Sequence, residues 1–176
     1  GIRVDGVIRA IRERPELAAD VLMLTELDLG MARTQNRFVA RDIADALGLN
    51  YAFAPCYLAL NKGNGIEKDS VGENEESLHG NALLSRYPLD RVHSFAIPNG
   101  KDKMKGVEKR IGSQSAVIAD IRHPTGAFRA VSLHLDALSS QSHRHLQMKL
   151  LLDHLDCLTP ALPTLIGGDW NTATHD

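Results

Sequence analysis

The chain has 176 residues, 43% of them hydrophobic, which is enough to bury a core, and its apolar runs fall short of the length needed to cross a bilayer. Twenty Lys and Arg against 22 Asp and Glu leave a formal net charge of −2, so no global field draws the protein to nucleic acid or to an anionic membrane. Cys56 and Cys157 stand far apart with no Cys-x-x-Cys or Cys/His neighbourhood, which excludes both a disulfide framework and a zinc site as sequence expectations.

Val4, Val7, Ile8 and Ile11 recur at helical spacing and stop before Pro15, which predicts a first helix. Val21 to Thr25 is an apolar run of strand length that ends at the carboxylates Glu26 and Asp28. Val39, Ile43, Ala46 and Leu47 predict a second helix stopped by Gly48, and Tyr51 to Ala54 a second strand, so the first third alternates as α/β chains do. From Asn61 to His79 three glycines and the acids Glu67, Asp69, Glu73, Glu75 and Glu76 predict a solvated loop; the alternative is a lid whose charge repels polyanions. Gly80 to Ser85, Val92 to Ile97, Ser115 to Arg122 and Phe128 to His134 follow with no helix between them, as antiparallel strands do. The intervening run from Asn99 to Arg110 holds Lys101, Lys103, Lys105, Lys109 and Arg110; it reads as a basic surface loop, with Arg110 as the candidate phosphate contact. Leu146, Leu150, Leu151, Leu155 and Leu158 stripe a long helix from Ser140 to about Leu158.

The last predicted strand, from Pro163, stops at Gly167-Gly168-Asp169-Trp170-Asn171-Thr172. Reactive groups of open α/β sheets collect at the carboxyl ends of strands, and paired glycines admit close approach, although Gly-Asp and Asn-Thr are also ordinary turn formers.

Four segments in order, Val21–Asp28, Gly80–Leu89, Ala130–Asp136 and Pro163–Thr172, resemble the motifs of the endonuclease/exonuclease/phosphatase superfamily. These DNase I-like metal-dependent phosphoesterases include nucleases, abasic-site endonucleases, sphingomyelinases and inositol-phosphate phosphatases. The resemblance runs from about Asp20 to Thr172 and implies a four-layer α/β sandwich of two packed mixed sheets flanked by helices, in a single domain over residues 1–176.

Hydrolysis of a phosphoester needs a hard cation held by carboxylate, donors for the non-bridging oxygens and a group that positions water. On spacing alone Glu26 reads as a surface residue and His134 as a structural one; the resemblance assigns both to a site. It implies that Glu26 is the principal ligand of Mg²⁺ or Mn²⁺ and that His134 contacts the scissile phosphate. It further implies that Asp169 orients or deprotonates the attacking water and that Asn171 donates to a phosphate oxygen. Asn81 and Arg110 are expected at the substrate. Arg144 and Gln147 repeat an Arg-x-x-Gln pair of the family, Trp170 is expected to pack beneath the loop, and His79, His93, His123, His143, His145, His154 and His175 are read as structural or surface residues.

Two family segments have no counterpart in this sequence, an opening strand with a metal-binding Asn and a closing Ser-Asp-His. The expectation is therefore the larger part of a phosphoesterase, incomplete at both ends, whose sheet edges a second copy could cover. Near-neutral charge and the acidic loop favour a small or lipid-like phosphodiester over duplex DNA, with nucleic acid retained as a candidate. The competing expectation is a non-catalytic binding or scaffold protein that keeps the fold.

Overall fold

The computed structural model describes residues 3–172, so His175 and the terminal His175-Asp176 pair lie outside the described residues. Helices α1 (Val4–Glu13) and α2 (Val39–Leu47) form where the apolar spacing places them. Both press their buried faces, Val4 and Ile8 from one and Val39, Ala40 and Ile43 from the other, onto the outer side of a first sheet. At the end of α2, Gly48 takes the left-handed conformation (φ 67°) and returns its N–H to the last turn.

That sheet is built from β1 (Val21–Leu29), β2 (Asn50–Ala59), β3 (Leu78–Ser85) and β5 (Arg110–Gly112). Its order is β1-β3-β2-β5 and it is antiparallel throughout. The second sheet, in the order β4-β6-β7-β8, comprises β4 (Leu89–Ile97), β6 (Gln114–Ile121), β7 (Phe128–His134) and β8 (Thr164–Asp169). Only β7 and β8 pair in parallel, and the connection between them is α3 (Gln141–Asp156). A parallel pair requires such a crossover.

Helix α3 buries Leu151 and Leu155 against Ile97, Ile118 and Leu133 on the outer face of the second sheet. The inner faces of the two sheets meet through Ala52, Leu83, Val117, Ile121 and Ala130. The result is the expected four-layer sandwich, with the mixing of strand directions confined to one sheet. Covered on both faces, β6 is buried along its whole length and reads as a nearly continuous apolar run, whereas β4 alternates. Strands β1 and β8 are outer strands of their sheets and run close together: a Cβ on Gly167 would lie 2.5 Å from Met23 Sδ. The short β5 begins at Arg110, the last residue of the basic run that the sequence presents as a loop.

Candidate active site

Glu26 owes its place to an irregularity in β1. Leu24 pairs with Ala82 but Leu27 pairs with Gly80, so β1 carries an extra residue opposite Asn81, and Glu26 adopts φ 60°. Such a bulge re-aims a side chain from the strand. Here it leaves Glu26 exposed while the next two residues, Leu27 and Asp28, are buried.

Across the sandwich, the parallel register sets His134 opposite Asp169 at the carboxyl ends of β7 and β8, with Nε2 3.8 Å from Oδ2. Gly168 makes this approach feasible: it sits at φ 127°, and a Cβ there would lie 1.9 Å from the Leu133 carbonyl oxygen. His134 is buried, and burial lowers its pKa; the carboxylates of Glu26 and Asp169 oppose that effect, while His79 and Arg110 add to it. Glu26, His134, Asp169 and Arg110 therefore share one electrostatic neighbourhood, although they come from β1, β7, β8 and β5.

Arg110 opens β5, where its guanidinium lies 5.5 Å from the centre of the Tyr57 ring and pairs with Glu108. Its pKa is lowered, first by burial and then by Arg33, against the opposing pull of Tyr57, Glu26 and Asp28. Asn171 accounts for two contacts that shape the turn: its backbone N–H donates to Asp169 Oδ1 at 2.9 Å and its side-chain Nδ2 donates to the Leu135 carbonyl at 2.9 Å. One of its two amide hydrogens is thus committed to pegging the end of β8 to the end of β7.

Asn81 is 1% exposed, and its amide donates to the Ser115 carbonyl at 2.8 Å and toward Cys56 Sγ at 3.5 Å. Lying opposite the β1 bulge, it ties the first sheet to the second, and this hydrogen bond commits its amide inside the sandwich. Arg144 and Gln147 likewise act on the backbone. Fully buried Gln147 accepts from Asp136 N and donates to the Pro98 carbonyl, and Arg144 donates to the Ser139 carbonyl at 2.7 Å. Trp170, expected to pack beneath the loop, is 37% exposed.

Asp28, Arg33, His79 and Asp136 form contacts around the site that the sequence did not announce. Asp28 is buried and receives both Arg33 Nη2 at 2.7 Å and Nε at 2.8 Å, with His79 Nδ1 2.8 Å from Oδ1. Burial alone would raise its pKa, but the hydrogen bonds from Arg33 and His79 prevail and hold the carboxyl well below the usual range. Arg33 also reaches Glu67 at 3.0 Å and so draws the acidic segment toward the sheet. That segment is more ordered than its composition implies, since the Gly30 carbonyl accepts from Glu75 N and Ser77 N and Asn74 Oδ1 accepts from Ala32 N. On the other side Asp136, two residues past His134, receives Lys103 Nζ at 2.6 Å and Gly100 N at 2.9 Å, which fastens the basic segment to the end of β7.

A family model described as the Endonuclease/Exonuclease/phosphatase family matches residues 2–176. A curated protein of Escherichia coli (strain K12), the uncharacterized protein YbhP, is 31% identical over 97 residues, 54% of this chain and 34% of that one. Among solved structures, an endonuclease/exonuclease/phosphatase from Beutenbergia cavernae DSM 12333 superposes with a TM-score of 0.64 at 20% identity, over 99% of this chain and 43% of its own. The human Nocturnin catalytic domain with bound sulfate gives 0.65 at 19%, over 99% and 58%, and ANGEL2, a 2′,3′-cyclic phosphatase, gives 0.66 at 14%, over 99% and 44%. The match spans about a third of the length of the curated relative and the chain about half that of these structures.

Proposed function

This chain belongs to the endonuclease/exonuclease/phosphatase family, and from that premise we propose that it hydrolyses a phosphodiester by in-line attack of water, with Mg²⁺ or Mn²⁺ as its cofactor. The observation that carries the proposal is the convergence of an exposed carboxylate, Glu26, with a buried imidazole, His134, and the carboxylate of Asp169 across the two sheets. Two of the similar structures belong to proteins whose descriptions involve phosphate or its mimic, a 2′,3′-cyclic phosphatase and a catalytic domain holding sulfate.

The donor set suits the cofactor. Mg²⁺ prefers oxygen, keeps several waters, and is commonly held by one or two carboxylates together with substrate phosphate. Glu26 offers one such carboxylate. Among the described residues no group of three or more His, Cys, Asp and Glu forms a cage, so water and substrate oxygens would complete the sphere. Bound there, the ion would neutralise charge on the phosphoryl oxygens.

The remaining roles fall to the chain itself. Burial favours the neutral form of His134, which at neutral pH can take a proton or donate one from Nε2 toward the reacting centre. Asp169, partly exposed and fixed by Asn171 N, is placed to orient a water molecule. The uncommitted amide hydrogen of Asn171 and the guanidinium of Arg110 supply donors to phosphate oxygens. Net charge of −2 favours a small or lipid-like diester over duplex DNA.

The test is Glu26→Gln, which keeps shape and removes charge. Mg²⁺ should raise the melting temperature of the wild-type protein and not that of the variant, and hydrolysis of bis-p-nitrophenyl phosphate should fall by orders of magnitude. Unchanged metal stabilisation in the variant would remove Glu26 from the site. Metal binding without turnover in the full-length wild-type protein would favour a scaffold role.

A further inference from the structure

A cavity of about 660 Å³ adjoins the proposed site and does not coincide with it. It runs along the segment from Lys101 to Arg110 with Asn64 and Leu138 facing it, and its volume is that of a small-molecule site. Arg110 lines this cavity and also acts electrostatically on Glu26 and His134, so the cavity and the proposed site share one residue.

The charges lining the cavity are unequally committed. Lys103 is held by Asp136 and Arg110 by Glu108, whereas Asp102 accepts Met104 N at 2.9 Å and has no cation partner among the described residues. Lys101 and Lys105 are exposed and have no carboxylate partner among the described residues. They are nevertheless presented on a fastened segment: Gly100 and Lys103 are tied to Asp136, and Asn99 accepts from Tyr57 Oη at 2.7 Å and donates to the Gly112 carbonyl at 2.8 Å. Val107 and Leu138, 65% and 70% exposed, add an apolar rim. A cavity with two uncommitted ammonium groups and an apolar rim, adjoining a phosphate-handling site, suits an organic anion whose charge lies away from the scissile bond.

We propose that this cavity binds a second phosphate, borne on the part of the substrate beyond the scissile ester, so that the preferred substrate is a phosphodiester carrying an additional phosphate group. The proposal rests on the phosphoesterase assignment for the identity of the substrate, and on the cavity alone for the phosphate site.

The experiment uses the full-length protein and the double variant Lys101→Ala/Lys105→Ala, both positions being exposed and outside the core. Titration calorimetry with inorganic pyrophosphate, in chelator, reads the cavity directly. The double variant should bind at least about tenfold more weakly, as expected for loss of charge-assisted contacts, and Glu26→Gln should bind as the wild type does. Turnover is read on two matched pairs: a dinucleotide with and without a 5′-terminal phosphate, and glycerophosphoinositol with and without a phosphate on its ring. In the pair from the true source, the extra phosphate should lower KM in the wild type and not in the double variant. The rate on bis-p-nitrophenyl phosphate should be the same in both proteins. Equal pyrophosphate affinity in wild type and double variant, no pyrophosphate binding at all, or no advantage from the extra phosphate in either pair would overturn the proposal. Lysine-dependent pyrophosphate binding with no turnover of any ester would sustain the phosphate site and refute the phosphoesterase assignment.

Discussion

Replacing Asp28 by Asn tests the least visible part of this architecture. Asp28 is 1% exposed, and the side chain of its principal partner Arg33 only 9%. Both oxygens of Asp28 are occupied, one by Arg33 Nη2 and His79 Nδ1 and the other by Arg33 Nε. Asn preserves the outline but removes the charge and turns an N–H₂ toward one of these donors, leaving a buried guanidinium whose only remaining ion-pair partner among the described residues is Glu67. Removing one partner of a buried pair typically costs about 3–5 kcal/mol. In a chain of this size 1 kcal/mol moves the melting temperature by about 2–4 °C, so Asp28→Asn should lower it by roughly 6–20 °C in a circular-dichroism melt. Removing both charges is far less costly than removing one, so adding Arg33→Met should recover much of the loss. Acid should act in the same direction. The folded pKa of Asp28 lies below its unfolded value near 3.9, so its contribution is present above about pH 4 and disappears as pH falls through the folded value. A melting temperature within about 2 °C of wild type for Asp28→Asn, or strictly additive losses in the double variant, would refute this account of the pair.

The folded pKa of His134 lies below the unfolded value near 6.5, first because of burial, so the unfolded chain takes up the proton first and stability is lost as pH falls below about 6.5. Urea unfolding from pH 5 to 8 should therefore show a shallower pH dependence in His134→Gln, with a residue from His154, whose pKa is lowered by burial and by His93; identical slopes would refute the burial argument. Gly168→Ala would drive a Cβ into the Leu133 carbonyl at φ 127° and should cost about 1–3 kcal/mol or more while displacing Asp169. A variant with wild-type melting temperature and hydrolysis rate would show that the turn tolerates a side chain.

Local pattern dictates some of these features and leaves others invisible. Strand β7 appears over Phe128–His134 as its composition predicts, because a strand covered by a sheet on one face and a helix on the other needs apolar residues such as Ala130, Val131 and Leu133 on both. The three residues of β5 become a strand only by pairing with Tyr57 to Ala59, and no three-residue window at the end of a basic run announces that. Glu26, His134 and Asp169 were legible as candidates because each ends an apolar run and because the motifs recur together in the family. Asp28, Arg33 and His79 were not: Asp28 and His79 meet through the β1–β3 register, 51 positions apart. The available signal was a carboxylate set inside an apolar run, where a charge must find a partner. The bond of Asn81 was hidden for the same reason, since only the second sheet determines that its amide meets the Ser115 carbonyl.

A site divided between two sheets imposes a requirement that hydrophobic packing cannot meet alone. Apolar contact is non-directional, so the Ala52, Leu83, Val117 and Ala130 layer would tolerate small sliding of one sheet over the other. Catalysis would not, since a displacement near 1 Å can cost about a hundredfold in rate. The interface carries directional ties at the level of the site. Ser132 Oγ donates to the Leu24 carbonyl at 3.1 Å, just before the β1 bulge, and Asn81 donates to the Ser115 carbonyl just opposite it. Each is a buried polar group that would be left unsatisfied if the sheets slipped, which costs about 1–3 kcal/mol per group and so penalises displacement steeply. Both ties flank the segment that projects Glu26, one reaching the strand that carries His134 and the other its neighbour β6. The separation of Glu26 from His134 is therefore set by hydrogen bonds between the sheets, and the strained φ of Glu26 is sustained by the same contacts.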